Sequence, residues 1–283
     1  MHLKNPFISD YDFDRLVDKH PPLKQFVFIN DYGNKTIKFG DKEAVKALNT
    51  GLLKTYYGLS YWDIPQNNLC PPIPGRLDYL LYISDLIPKK QLRLLDIGTG
   101  ANLIYPILGC RHFNWECTGS EVNLDSLKNA QAIIAKNTVL ENIELRHQPF
   151  KNKILENLVL PEDYFDVVVC NPPFFKNKTE AIRRNQRKVN NLGLREADSQ
   201  NFGGLSNELW YKGGETAFIK KMAAESILYK DQIQWFTSLV SQKENLKDIK
   251  RAVNKTAPIT VRVINMDQGN KKSRFIAWSF QDQ

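Results

Sequence analysis

The chain has only four cysteines, Cys70, Cys110, Cys117 and Cys170, and no two of them form a C-x-x-C pair. Cys117 and Cys170 fall inside apolar runs of strand character. This argues against a disulfide framework or a zinc site and favours packed, reduced thiols. No apolar run reaches the roughly 18 residues that cross a bilayer. The opening "MHLKNPFISDYDFDRL" holds no apolar core of a secretory signal, so a cytoplasmic protein without membrane attachment is expected. Internal repeats and low-complexity tracts are absent as well.

What remains is ordinary soluble composition: 283 residues, 42% hydrophobic and 25% charged, with room for one large domain or two modest ones. The formal charge of +8 is weak support for a polyanionic partner until its distribution is known.

From about residue 92 short apolar runs alternate with amphipathic segments. "RLLDIG" (93–98), "WECTGSEV" (115–122), "NIELRHQ" (142–148), "YFDVVVC" (164–170) and "IQWFTSLV" (233–240) read as strands. Residues 124–140, 214–230 and 244–255 carry helical spacing. Strands alternating with helices predict βαβ units and a mostly parallel sheet covered on both faces. "ITVRVINM" (259–266) and "RFIAWSF" (274–280) lie too close for a crossover helix, which predicts an antiparallel hairpin. The expected fold is therefore α/β and Rossmann-like, closed by a C-terminal hairpin, with a core domain over 91–283. Residues 1–90 read as an α+β extension packed on it, with a hairpin around Asp31 to Asn34 and a helix capped by Asp41.

The dinucleotide pattern G-x-G-x-x-G is incomplete. The first core strand runs into "LDIGTGAN", where Gly98 and Gly100 permit a tight turn and close approach of a ligand, but Leu103 stands where a third glycine would be. A pyrophosphate cofactor is therefore disfavoured. Glu121, one βα unit later, can accept bonds from both hydroxyls of a ribose. Asp96, on the strand side of the glycines, can hold the turn or face a cation. A ribose acid, a glycine turn and no phosphate site suit S-adenosyl-L-methionine, which joins a ribose to a sulfonium.

The run "YFDVVVC" ends in Asn171-Pro172-Pro173-Phe174. Proline supplies no ladder donor, so the strand must stop there in a stiff turn. A planar amino group such as adenine N6 is a poor nucleophile, because its lone pair is spread into the ring. The Asn171 side-chain oxygen and the Pro172 carbonyl can grip its two hydrogens and stabilise the charge that grows on nitrogen. The prolines freeze those acceptors, and Phe174 offers a face to an unstacked base. The same turn suits cytosine, guanine or a glutamine amide.

Between this turn and the next helix lies an aperiodic insertion, 174–214. Its eight basic and four acidic residues carry half of the chain's net charge of +8. "RRNQRK", with Arg183, Arg184, Arg187 and Lys188, reads as a phosphate-gripping segment. Phe202, Trp210 and Tyr211 in the same stretch are candidates for stacking or packing.

The set "FINDYGNKTIKFGDKEAVKALNTGLLKTYYGL", "CPPIPGRLDYL", "LLDIGTGANLIYPILG", "TGSEV", "CNPPFF", "YKGGETAFIKKM" and "AWSF" resembles the ribosomal large-subunit RNA methyltransferase F family over nearly the whole chain. That family methylates adenine N6 in bacterial ribosomal RNA and is similar to a eukaryotic small nuclear RNA methyltransferase. The resemblance implies a class I methyltransferase fold and S-adenosyl-L-methionine as cofactor. It implies ribosomal RNA, naked or in an assembling particle, as partner, and no metal. It places Arg76 on the methionine carboxylate, Gly98 and Asn102 along the cofactor backbone, Glu121 on the ribose and Asn152 near the cofactor adenine. Asn171 to Phe174 become the catalytic turn at the target base, with Asn171 also bordering the cofactor. RNA specificity is then expected from the N-terminal extension, also a lid on the cofactor, and from the basic insertion. A monomer is the favoured state. Other readings are an adenine enzyme for a different RNA or DNA, a protein glutamine methyltransferase, and a non-enzymatic RNA-binding protein.

Overall fold

Apolar five- and six-residue runs become the buried strands of a single large sheet. In the computed structural model, which describes residues 1–66, 68–177, 179–180, 210–268 and 271–282, seven strands pair in the order β5-β4-β3-β6-β7-β9-β8. These are β3 (Arg93–Ile97), β4 (Glu116–Glu121), β5 (Ile143–His147), β6 (Phe165–Cys170), β7 (Ile233–Leu239), β8 (Thr260–Gln268) and β9 (Lys271–Ser279). The first five pair in parallel; β9 pairs antiparallel with both β7 and β8. The C-terminal hairpin read from the sequence is thus present.

Successive side chains of a strand point to opposite faces, and here both faces are buried. Leu94, Val167, Val169 and Trp235 join one apolar cluster, while Leu95, Ile97, Val168, Cys170 and Phe236 join the other. The second cluster is covered by α6 (Gly214–Ser226) and α7 (Leu246–Asn254) through Ile219, Met222, Ala223, Ile249 and Val253.

The first cluster is covered by α3 (Ile73–Leu86), α4 (Ile104–Phe113) and the N-terminal residues. Ahead of α3 stand α1 (Phe13–Lys19), a two-stranded hairpin of β1 (Phe28–Ile29) and β2 (Lys35–Thr36), and α2 (Lys42–Tyr57). Asp41 caps α2, its carboxylate accepting the N–H groups of Glu43 and Ala44 at 2.9 and 3.2 Å. Leu16, Leu52, Leu53 and Tyr79 share one core with Leu94 and Ile107, so the first 90 residues are continuous with the sheet through apolar packing. Among the described residues no helix is long and apolar enough to cross a membrane.

One local reading is incomplete: helix α4 has no counterpart among the segments read as helical. For the site, the pairing of β6 directly beside β3 matters most. Chain order reverses between β3 and β6, and such a switch point opens a crevice at the C-terminal strand ends.

Candidate active site

The crevice is a cleft of about 680 Å3. Its walls come from the ends of β3 (Ile97, Gly98), β4 (Ser120, Glu121) and β6 (Cys170, Asn171, Pro173). The turn after β5 adds Gln148 and Asn152, and Pro65 and Asn68 of the N-terminal extension complete one rim. Five residues predicted for the cofactor or the catalytic turn therefore meet in one place: Gly98, Glu121, Asn152, Asn171 and Pro173. Trp210 and Tyr211, candidates for stacking or packing, line it as well.

Each reaches the cleft for a local reason. Gly98 adopts φ +74°, a conformation that L side chains rarely enter, and a Cβ built on it would meet nothing within 4 Å. Its backbone thus faces open space that a ligand can occupy. Gly98 and Thr99 donate their N–H groups to the carbonyl of Ser120 at 3.0 and 2.8 Å, tying the turn to β4. Leu103, at the third-glycine position, is fully buried and itself takes φ 54°. The backbone demand for a left-handed residue persists there, met by a leucine whose side chain fills the core.

Glu121 is 5% exposed. Its Oε2 accepts the N–H of Gly100 at 2.9 Å, and its Oε1 accepts those of Val122 and Asn123 at 2.8 Å each. The carboxylate thereby holds the glycine turn and the entry to α5 (Leu124–Ala135). Asp96 is buried, with neither oxygen in a hydrogen bond. Burial pushes its carboxyl up to about 7; the Thr99 hydroxyl opposes this without reaching full hydrogen-bond geometry, the charge of Glu121 adds to it, and that of Arg76 opposes it. Two neighbouring carboxylates disfavour a phosphate and favour a cation.

Arg76 projects from the first turn of α3. Its Nη1 donates to the Tyr105 hydroxyl at 3.0 Å and its guanidinium lies 5.7 Å from that ring's centroid. No ion pair joins Arg76 to Asp78 or Asp85: the Asp78 carboxylate accepts the N–H of His2 and Asn5 Nδ2, and Asp85 pairs with His2 and Lys4. Asn102 is buried, its Oδ1 accepting the N–H of Ile104 at 3.1 Å and its carbonyl the Trp62 indole N–H at 2.9 Å. Arg76, Asp96, Gly100 and Asn102 are not among the residues that line the cleft, though Gly100 is bonded to Glu121, which is.

Asn171 follows β6 directly, next after Cys170, which pairs with Ile97 just before Gly98, and its Oδ1 is buried without a hydrogen-bond partner. Pro172 is buried, and half-buried Phe174 meets Phe175 edge-on with centroids 6.5 Å apart. All peptide bonds are trans among the described residues, so the elbow's stiffness comes from the proline rings. Arg183, Arg184, Arg187 and Lys188 lie outside the described residues.

Three contributors escape sequence reading. Gln148 donates its N–H to the Glu121 carbonyl at 2.9 Å and spans its loop, Nε2 reaching the Glu156 carbonyl at 2.8 Å. Glu225 on α6, 7% exposed, accepts the N–H groups of Ile154 and Leu155 at 2.9 and 2.7 Å, pinning the loop that carries Asn152. An acid following the apolar "MAA" of a helix that faces the core is the signal that marks it. Phe218 of α6 lines the same cleft as Asn171.

The cleft thus brings an acidic, glycine-lined surface that fits a cationic nucleoside beside an unpartnered amide oxygen that fits an amine. Among the described residues no cluster of His, Cys, Asp and Glu is arranged to hold a metal ion. A family profile described as RNA methyltransferase matches residues 1–282. A curated relative from Christiangramia forsetii, named ribosomal RNA large subunit methyltransferase F, is 46% identical over 99% of this chain and 100% of its own length. One of the same name from Saccharophagus degradans is 43% identical over 99% and 95%. Among solved structures, the hMettl16 catalytic domain in complex with MAT2A 3'UTR hairpin 1 superposes with TM-score 0.85 and 33% identity, covering 100% of this chain and 96% of that one. The N-terminal domain of human METTL16 in complex with SAH gives 0.80 and 30%, over 100% and 99%. The chain belongs to the RNA methyltransferase family, in the group of relatives named ribosomal RNA large subunit methyltransferase F.

Proposed function

We propose that this S-adenosyl-L-methionine-dependent RNA methyltransferase modifies the exocyclic N6 of one adenine in large-subunit ribosomal RNA. It works as a monomer in the bacterial cytoplasm, on free RNA or an assembling particle. The observation that carries the reading is the buried, unpartnered Oδ1 of Asn171, set in the same cleft as Gly98 and Glu121. A buried polar atom without a partner is costly unless a ligand supplies one.

Bound in the cleft, the cofactor supplies an electrophilic methyl group on a sulfonium. Glu121 would accept from its ribose, Asn152 would border its adenine, and Arg76 would offer its guanidinium to the methionine carboxylate. Asp96 would add negative charge toward the cation. At the elbow the Asn171 oxygen and the Pro172 carbonyl take the two amine hydrogens, aim the nitrogen lone pair at the methyl, and stabilise the positive charge that develops. Phe174 stacks on the extruded base. The group transferred would be the cofactor's methyl, leaving a neutral thioether, and the methylated amine would lose its extra proton to water without a dedicated base.

Family membership favours RNA over DNA or a peptide as substrate, and the relatives' shared name supports ribosomal RNA. The neighbours solved with an RNA hairpin and with SAH support the same substrate class and cofactor. The test is mass mapping of ribosomal RNA from cells with and without this protein. Loss of one methyl from one adenine is expected; an unchanged map contradicts the reading.

A further inference from the structure

The cleft that holds Glu121 and Asn171 contains a second orphaned polar atom. The indole Nε1 of Trp210 is buried, has no hydrogen-bond partner, and belongs to a side chain lining the same cleft as Asn171 and Pro173. Its position is fixed relative to the elbow. Trp210 forms a parallel bridge with Phe175, and Tyr211 donates its N–H to the Phe175 carbonyl at 3.0 Å. Two residues from distant points of the chain are thereby held beside the Asn-Pro-Pro-Phe turn by backbone bonds rather than by side-chain packing alone.

The chemistry of the two orphans is complementary. Asn171 Oδ1 is an acceptor, and the indole N–H is a donor and never an acceptor. A ligand edge that satisfies both presents an N–H donor beside an acceptor lone pair. Adenine carries that combination twice around its amine, with N1 on the Watson–Crick side and N7 on the Hoogsteen side. Guanine, at the same place on the ring, presents the acceptor O6 instead of an amine. An oxygen there would face the Asn171 oxygen with no hydrogen between them.

We propose that Trp210 is a base-reading residue, whose indole N–H donates to a ring nitrogen flanking the amine that Asn171 holds. This deepens the adenine-N6 reading above and rests on it. The contact fixes the rotation of the base in its own plane, which a stacking face cannot do. It also adds selectivity against a base whose ring nitrogen at that edge carries a hydrogen, because donor would then meet donor.

The experiment uses the full chain with an RNA fragment spanning the mapped adenine, prepared with adenosine, 1-deazaadenosine or 7-deazaadenosine at that position. Trp210→Phe keeps a flat apolar ring and deletes only the donor. With ordinary adenosine, kcat/KM of the variant is expected to fall about tenfold, the effect of one buried hydrogen bond. Calorimetric affinity for S-adenosylhomocysteine is expected to stay unchanged. On the wild-type enzyme one of the two deaza substrates should show a similar loss, identifying the edge read. On Trp210→Phe that same substrate should show no further loss, because the bond is already gone. Normal turnover by the variant, indifference of the wild type to both analogues, or deaza penalties that persist undiminished in the variant would each overturn the assignment. Should the wild type leave the adenine of the fragment unmethylated, the adenine-N6 reading itself fails and this one with it, an outcome separate from any behaviour of the variant.

Discussion

One carboxylate at the end of β4 fastens the glycine turn of the neighbouring strand: Glu121 Oε2 accepts the N–H of Gly100 at 2.9 Å. The same side chain takes the N–H groups of Val122 and Asn123. Glu121→Ala is expected to lower stability by about 1–3 kcal/mol, because it leaves buried donors unpaired. It should also weaken S-adenosylhomocysteine binding by about tenfold or more, through loss of the ribose acceptor. Thermal unfolding and calorimetric titration read the two effects separately. Wild-type affinity in a destabilised variant would reduce Glu121 to a structural brace.

Asp96 predicts a pH dependence of definite sign. Its carboxyl is held at about 7 in the folded protein, against 3.8 unperturbed, chiefly by burial. The folded state binds a proton that the unfolded state releases between those values. The contribution to stability is therefore complete below the unfolded value and lost as pH rises through 7. The ligand-free protein should melt at progressively lower temperature from about pH 5 to pH 8, a slope removed by Asp96→Asn. A sulfonium favours the ionised carboxylate, so cofactor affinity should move the other way, rising about tenfold between pH 6 and pH 8. Flat affinity across that range would separate Asp96 from the cation.

Phe174 is half-buried and beside the elbow, as a stacking platform must be. Phe174→Ala should lower kcat/KM for RNA by about 10- to 100-fold, matching about 1–3 kcal/mol for one stacked base, and leave cofactor affinity intact. Phe174→Tyr should retain most activity. Equal losses in both variants would point to packing rather than stacking.

The alternation of strands and helices was readable because strands buried on both faces are continuous apolar runs, as in "FDVVVC". Helix α4 hid from the same reading. Most of its residues are buried, so "IYPILGCRHF" shows no polar stripe, and Pro106 reads as a breaker. It stands in the first helical turn, where its missing N–H costs nothing. Gly98, Glu121 and Asn171 were legible because each follows or ends a strand, where ligands of open sheets bind. Trp210 could be named from sequence only as a residue that stacks or packs, because its place comes from a bridge to Phe175. Gln148 is placed by a bond to the Glu121 carbonyl where β5 ends beside β4, and a linear pattern encodes neither. The loop-pinning role of Glu225 is equally tertiary, since its partners lie about 70 positions away in sequence.

The basic insertion makes a prediction from charge alone. Replacing Arg183, Arg184, Arg187 and Lys188 by glutamine should weaken RNA binding and flatten the plot of log affinity against log salt by about 3, near 0.7 per lost phosphate contact. Binding by filter retention across salt concentrations measures this. An unchanged slope would move the phosphate contacts elsewhere, to the N-terminal extension first.

The most direct test concerns the Asn171 amide. Single-turnover methyl transfer is measured for wild type and Asn171→Ala, with the enzyme in excess over the RNA and saturated in S-adenosyl-L-methionine. Transfer should fall by about 100-fold or more in the variant, as for removal of a transition-state hydrogen-bond acceptor, while S-adenosylhomocysteine affinity stays within a few-fold of wild type. A variant that transfers methyl at close to the wild-type rate would contradict the account, because the amine would then be held by something other than this elbow.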